Sequence, residues 1–143
     1  MPELPEVETT VKSLNILKNK KVISLDIHVK KLRYLVPHLG LKNIIDYKIK
    51  GLRRIAKYVI IDFSNFKSVI IHLGMSGRLK IVKLGVALNK HDHLVFKFKN
   101  LKLIFNDPRR FGFVDIIDSE KISNIGYIKK LGIDALDNKL SED

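Results

Sequence analysis

Ile23-Ser24-Leu25-Asp26-Ile27-His28-Val29 sets an aliphatic side chain at every second position with a polar one between each pair. A period of two puts the aliphatic set on one face of an extended chain and Ser24, Asp26 and His28 on the other, the pattern of a strand covered on one side. Ile45, Tyr47 and Ile49 alternate with Asp46 and Lys48 in the same way. Further strand-like runs cover about 57–63, 67–73, 78–83, 93–99, 102–106 and 113–117, and Asn100 between two of them marks a tight hairpin. Upstream the period differs. Leu4, Val7, Val11, Leu14 and Leu17 recur at helical spacing with glutamates in the first turn, which predicts an amphipathic helix packed on a sheet. Downstream, Ser119 is placed to cap a short helix carrying Ile122, Ile125, Ile128 and Leu131, stopped by Gly132. The stretch 83–89 has the character of a loop. The fold class expected is α+β, mainly β: a two-layer β-sandwich or flattened barrel of about eight strands, flanked by an N-terminal helix and a short C-terminal helix. This domain spans 1–132, and 133–143 is expected to be a linker or truncated end.

Composition narrows the function classes. A chain of 143 residues supports one domain with a real core. It has no apolar run long enough to cross a bilayer, and its first twenty residues carry glutamates where a signal segment would be basic and apolar. The absence of cysteine excludes a disulfide framework and a cysteine-based zinc site within these residues, and it suits an intracellular protein. A net charge of +12 points to a polyanionic partner, nucleic acid ahead of a membrane surface because no long basic amphipathic helix is present. A uniformly lysine-rich surface would explain the scattered lysines, but not where the arginines fall.

Four segments carry potential chemistry. Met1-Pro2-Glu3-Leu4-Pro5-Glu6 would expose, once Met1 is removed, a secondary amine beside two carboxylates. Such an amine titrates near pH 8 and can attack an electrophilic carbon, whereas the ordinary role of Pro2 is simply to start a helix. Arg53-Arg54-Ile55-Ala56-Lys57-Tyr58 sets a lysine and two arginines at the entry to an apolar strand, either a phosphate contact or a solvated strand end. In His72-Leu73-Gly74-Met75-Ser76-Gly77-Arg78 the glycines bracket a methionine on a sharp turn, where it is either an apolar wedge for a base stack or folded-back filler. Asn106-Asp107-Pro108-Arg109-Arg110-Phe111-Gly112 is a loop that projects a guanidinium and an aromatic ring together. His91-Asp92-His93 has the spacing of a metal pair, but no further ligands cluster nearby in the sequence, so a backbone contact or structural role is preferred and no metal is expected.

Taken together, the opening Pro2-Glu3-Leu4-Pro5-Glu6-Val7-Glu8-Thr9, Arg54 to Lys57-Tyr58, the His72 to Gly77 turn and Asp107-Pro108-Arg109-Arg110-Phe111-Gly112 resemble the formamidopyrimidine-DNA glycosylase family, in order and spacing along essentially the whole chain. The resemblance implies base-excision repair of oxidised purines such as 8-oxoguanine in damaged double-stranded DNA, by a bifunctional glycosylase and AP lyase. In that scheme Pro2 is the Schiff-base nucleophile at the sugar C1′, and Glu3 is the acid–base partner with Glu6 in support. Lys57 contacts the phosphates beside the lesion. His72 and His91 are implied backbone contacts, and Met75, Arg109 and Phe111 the trio that enters the helix when the damaged base is flipped out. It further implies a cytoplasmic monomer with no membrane association. Two departures stand out. Ala56 occupies a position where the family commonly has glycine, and Leu131-Gly132-Ile133-Asp134-Ala135-Leu136 is a diverged form of the family's linker. The helical module and zinc finger that the family carries after that linker do not appear in these residues, so no cofactor is expected in this chain and it is expected to be a truncated product or separate domain. The alternative is a basic DNA-binding remnant without catalysis.

Overall fold

The computed structural model describes residues 10–126. Of the segment expected to be helical, 10–17 fall among these residues: 10–14 are α-helical and pass into a 3-10 turn, Asn15–Leu17, while Leu4 and Val7 lie outside them. Leu14 and Leu17 are fully buried there, as the helical spacing requires.

Eight strands follow: β1 (Ser24–Ile27), β2 (Ile49–Ile55), β3 (Tyr58–Phe63), β4 (Lys67–His72), β5 (Arg78–Lys83), β6 (Asp92–Lys97), β7 (Leu101–Asn106) and β8 (Phe113–Asp118). They form two antiparallel four-stranded sheets, ordered β1-β6-β7-β5 and β2-β3-β4-β8. The core lies between them, with Leu25, Phe96, Leu103 and Phe105 from one sheet meeting Val59, Ile61, Phe63, Val69 and Ile71 from the other. Burial of each such side chain contributes about 1.5–3 kcal/mol. The second sheet is apolar on its outer face as well. Tyr58, Ile60, Ile70 and Phe113 join Ile122 there, so β3 and β4 appear in the sequence as continuous apolar runs without alternation.

Three expectations need correction. The strand expected over Ile45–Ile49 instead begins at Ile49 and continues through the basic stretch to Ile55. Lys42–Ile44 form a 3-10 turn and Asp46 takes φ 75°, which stops extension before Ile49. The pairing of β2 with β3 then shifts between Ile49 and Gly51, resetting the face of every later side chain. Ile23 lies outside β1 and is exposed, although its N–H bonds the Lys97 carbonyl. Ser119 does not cap a helix. Its hydroxyl meets that of Ser68 at 2.6 Å, and the 3-10 helix Ser119–Asn124 starts without a side-chain cap. Ile128, Leu131, Gly132 and the segment 133–143 lie outside the described residues.

The sheet order decides where the loops meet. β4 and β8 are neighbours in one sheet, β5 and β7 in the other. The 73–77 connection from β4 to β5 and the 107–112 connection from β7 to β8 therefore cross between the sheets side by side, in opposite directions, at one end of the sandwich. The β2–β3 turn and the start of β6 lie at the same end, because Tyr58 pairs with His72 and Asp92 with Asn106.

Candidate nucleic-acid interface

At this end the second sheet presents a row of rings. Register places Tyr58, His72 and Phe113 on adjacent strands. The imidazole of His72 stacks on Phe113 (5.3 Å, 4° between planes) and lies 5.0 Å from Tyr58. Tyr34 meets Phe113 edge-on at 5.3 Å, and the Arg33 guanidinium lies 5.4 Å from the Tyr34 ring centre. Burial lowers the pKa of His72, and the charges of Arg33 and Lys57 lower it further. The ring is thus neutral, and since the Gly74 N–H donates to Nδ1 at 3.1 Å, its proton sits on Nε2. Burial also raises the pKa of Tyr58, which keeps its phenol protonated.

Lys57 stands half-buried on the turn between β2 and β3, with Ile55 and Tyr58 closing a two-residue loop. Ala56, at the first loop position, takes φ 50°. Positive φ at that position is what a II′ hairpin asks of glycine. Arg53 and Arg54 lie within β2, not before a strand, and each has a local partner: Arg53 pairs with Asp62 at 2.9 Å, and Arg54 donates to the Ala56 carbonyl at 3.3 Å.

The two crossings are built as one piece. The Gly77 N–H closes the first on the Leu73 carbonyl at 2.8 Å and leaves Met75 56% exposed at its tip. Gly74 has φ +64° and lies so near the second crossing that a Cβ there would sit 2.6 Å from the Gly112 nitrogen. The fully buried Asp107 accepts from the Ser76 hydroxyl at 2.6 Å on one carboxylate oxygen and from the Gly112 N–H at 2.8 Å on the other. Ser76 Oγ in turn accepts the Arg109 N–H at 3.1 Å. Arg110 adopts φ 57°, and the Arg109 guanidinium lies 4.9 Å from the centre of the exposed Phe111 ring. Met75, Arg109 and Phe111 are thereby gathered on one rim.

His91 is half-buried at the base of that rim, where its carbonyl accepts the Asp107 N–H. His93 is buried, and its Nε2–H donates to the Asp107 carbonyl at 2.9 Å. Pro2, Glu3 and Glu6 lie outside the described residues. Sequence reasoning missed Arg33, Ser76 and Asp107. The last two stood inside the quoted motifs without a role, and only the Arg33-Tyr34 pairing of a cation with a ring hinted at the first.

Several cations of this end take part in no ion pair among the described residues. Ion pairs among the described residues join Arg53 to Asp62, Lys67 and Lys121 to Asp118, Lys80 to Asp92 and Lys97 to Asp26. Arg33, Lys57, Arg78, Arg109 and Arg110 belong to none of them, so this end carries concentrated positive charge beside two exposed apolar side chains.

Residues 1–114 match the family model described as the formamidopyrimidine-DNA glycosylase N-terminal domain. The chain belongs to that family. Formamidopyrimidine-DNA glycosylases of Rickettsia canadensis and Wolbachia pipientis are 43% and 42% identical to it, over 99% and 95% of the chain and 52% and 50% of their own lengths. A solved complex of Lactococcus lactis Fpg with DNA containing an abasic site superposes with a TM-score of 0.82 at 32% identity, over 90% of this chain and 47% of that one. A complex of the wild-type Lactococcus lactis protein with DNA containing N7-benzyl-Fapy-dG gives a TM-score of 0.82 at 32% identity, over 90% and 48%. The chain spans about half the length of the curated relatives it matches. The sequence contains no cysteine, and among the described residues no group of three or more histidines and carboxylates is placed to hold a metal ion.

Proposed function

We propose that this chain is the catalytic β-sandwich of a DNA glycosylase and AP lyase acting on oxidised purines, 8-oxoguanine and formamidopyrimidines, in duplex DNA. The observation that carries the reading is the shared rim, where an exposed methionine and an exposed arginine–phenylalanine pair stand together at a lysine- and arginine-rich end of the sandwich. Cations hold phosphates, apolar wedges fill an opened base step, and a guanidinium can hydrogen-bond an orphaned base. Lys57 and the Nε2–H of neutral His72 face the backbone beside the lesion, and His91 serves the same backbone. Met75, Arg109 and Phe111 occupy the space left when the damaged nucleotide is flipped, since C1′ is shielded in a stacked duplex. The Pro2 amine, freed by loss of Met1, attacks C1′ and expels the base. Glu3 supplies the proton for sugar-ring opening, with Glu6 in support. The resulting imine permits β- and then δ-elimination of the two phosphates, after which water releases the amine. Damaged duplex DNA is the partner, bound by a monomer.

Borohydride trapping tests this with duplexes containing 8-oxoguanine or an abasic site. A covalent adduct is expected that vanishes in Pro2→Gly and whenever Met1 is retained, with the abasic site processed faster because it needs no base recognition. Salt-sensitive binding without any adduct at saturating protein would replace the enzyme by a DNA-binding module.

A further inference from the structure

We infer that Ser76 and Asp107 are positioning residues that join the Met75 turn and the Arg109–Phe111 loop into one rigid wedge, a step beyond the proposed function that rests on it. Nothing obliges two surface loops to move together. Here they are tied by a carboxylate with no exposure to solvent, which spends its two oxygens on different crossings: one takes the Ser76 hydroxyl of the first, the other the Gly112 N–H of the second. Ser76 returns the link by accepting the Arg109 N–H.

Asp107 is itself fixed from behind. Its N–H donates to the His91 carbonyl, and its own carbonyl accepts from buried His93 and from the Arg110 N–H. Those bonds bracket the strained residue. Arg110 holds φ 57°, a left-handed conformation that is strained for a non-glycine residue, and the Arg109 guanidinium before it lies against the Phe111 ring. The side chains at the tips are exposed while the groups that aim them are buried. This is an arrangement of preorganised contacts on an immobile support, in which ordering is completed at folding and not at binding. A wedge that must unstack a base step needs all its parts to arrive together, because unstacking costs free energy before any partial contact returns it.

The probe is a duplex bearing a tetrahydrofuran abasic analogue opposite cytosine, compared with the same modified strand alone and with an undamaged duplex. The full chain is used as Ser76→Ala and as Ser76→Thr, which retains the hydroxyl. Ser76→Ala is expected to weaken binding to the abasic duplex about tenfold and to change single-strand binding less than twofold, with Ser76→Thr restoring the parent value. Amide exchange in the DNA-free protein is expected to quicken at both Gly74 and Gly112 in Ser76→Ala. Equal losses on duplex and single strand, or no loss, would overturn the positioning role. A parent protein without preference for the abasic duplex would overturn the proposed function and the positioning role with it, while exchange at the two glycines would still report whether the loops are locked.

Discussion

Gly74→Ala is the sharpest perturbation of the rim. The new methyl group would lie 2.6 Å from both the Gly112 nitrogen and the Phe111 carbonyl carbon, where ordinary contact begins at 3.4 Å, so the two crossings must part by about 0.8 Å. Both obstacles are backbone and cannot rotate aside. Overpacking of this kind costs roughly 1–3 kcal/mol. Gly74 also holds φ +64°, which adds about 1 kcal/mol for alanine. The sum is about 2–4 kcal/mol, or a fall in Tm of about 8–16 °C at about 4 °C per kcal/mol for a domain of this size. Gly85→Ala is the control. Nothing lies within 4 Å of its Cβ, and the change should stay within about 0.5 kcal/mol. Thermal unfolding followed by far-ultraviolet circular dichroism reads both. A Gly74→Ala protein melting within about 2 °C of the parent would show that the crossings are not packed backbone to backbone, and the rigid rim would go with it.

Ala56→Gly should act in the opposite sense. Relief of the φ 50° conformation outweighs the added freedom of the unfolded chain by roughly 0.5–1 kcal/mol, visible as a raised urea midpoint; a lowered midpoint would refute it. His72 should make stability pH-dependent. Its folded pKa lies below the ordinary 6.5, so the unfolded state takes up a proton first as the pH falls. The stabilisation is complete above that value and is lost as pH drops from it toward the folded pKa. His72→Asn, whose carbonyl oxygen can accept the Gly74 N–H in place of Nδ1, should flatten urea-unfolding stability between about pH 7.5 and pH 5.5.

Much of the sandwich was legible because β3 to β8 are apolar runs bounded by turn residues. β2 was not. Its basic residues conceal a strand whose pairing shifts between Ile49 and Gly51, and no single period survives that shift. The Ser119 cap failed for another reason: a hydroxyl that could bond its own helix found Ser68, distant in sequence, instead. At the rim the exposed residues stood out by type, as a methionine between glycines and a phenylalanine after paired arginines. Their common location did not. It follows from which strands are neighbours, and Asp107 matters for bonds to residues brought near only by that order.

That order also governs assembly. The β2–β3 and β3–β4 pairings join consecutive strands and can form as a simple meander, whereas β1 must find β6 and β4 must find β8 across long stretches of chain. Non-local pairing is slow because the intervening chain must be closed before contacts compensate. The Ser76–Asp107 bond spans 31 residues and needs both sheets in place. The wedge therefore matures only after the strands that carry its two crossings have paired.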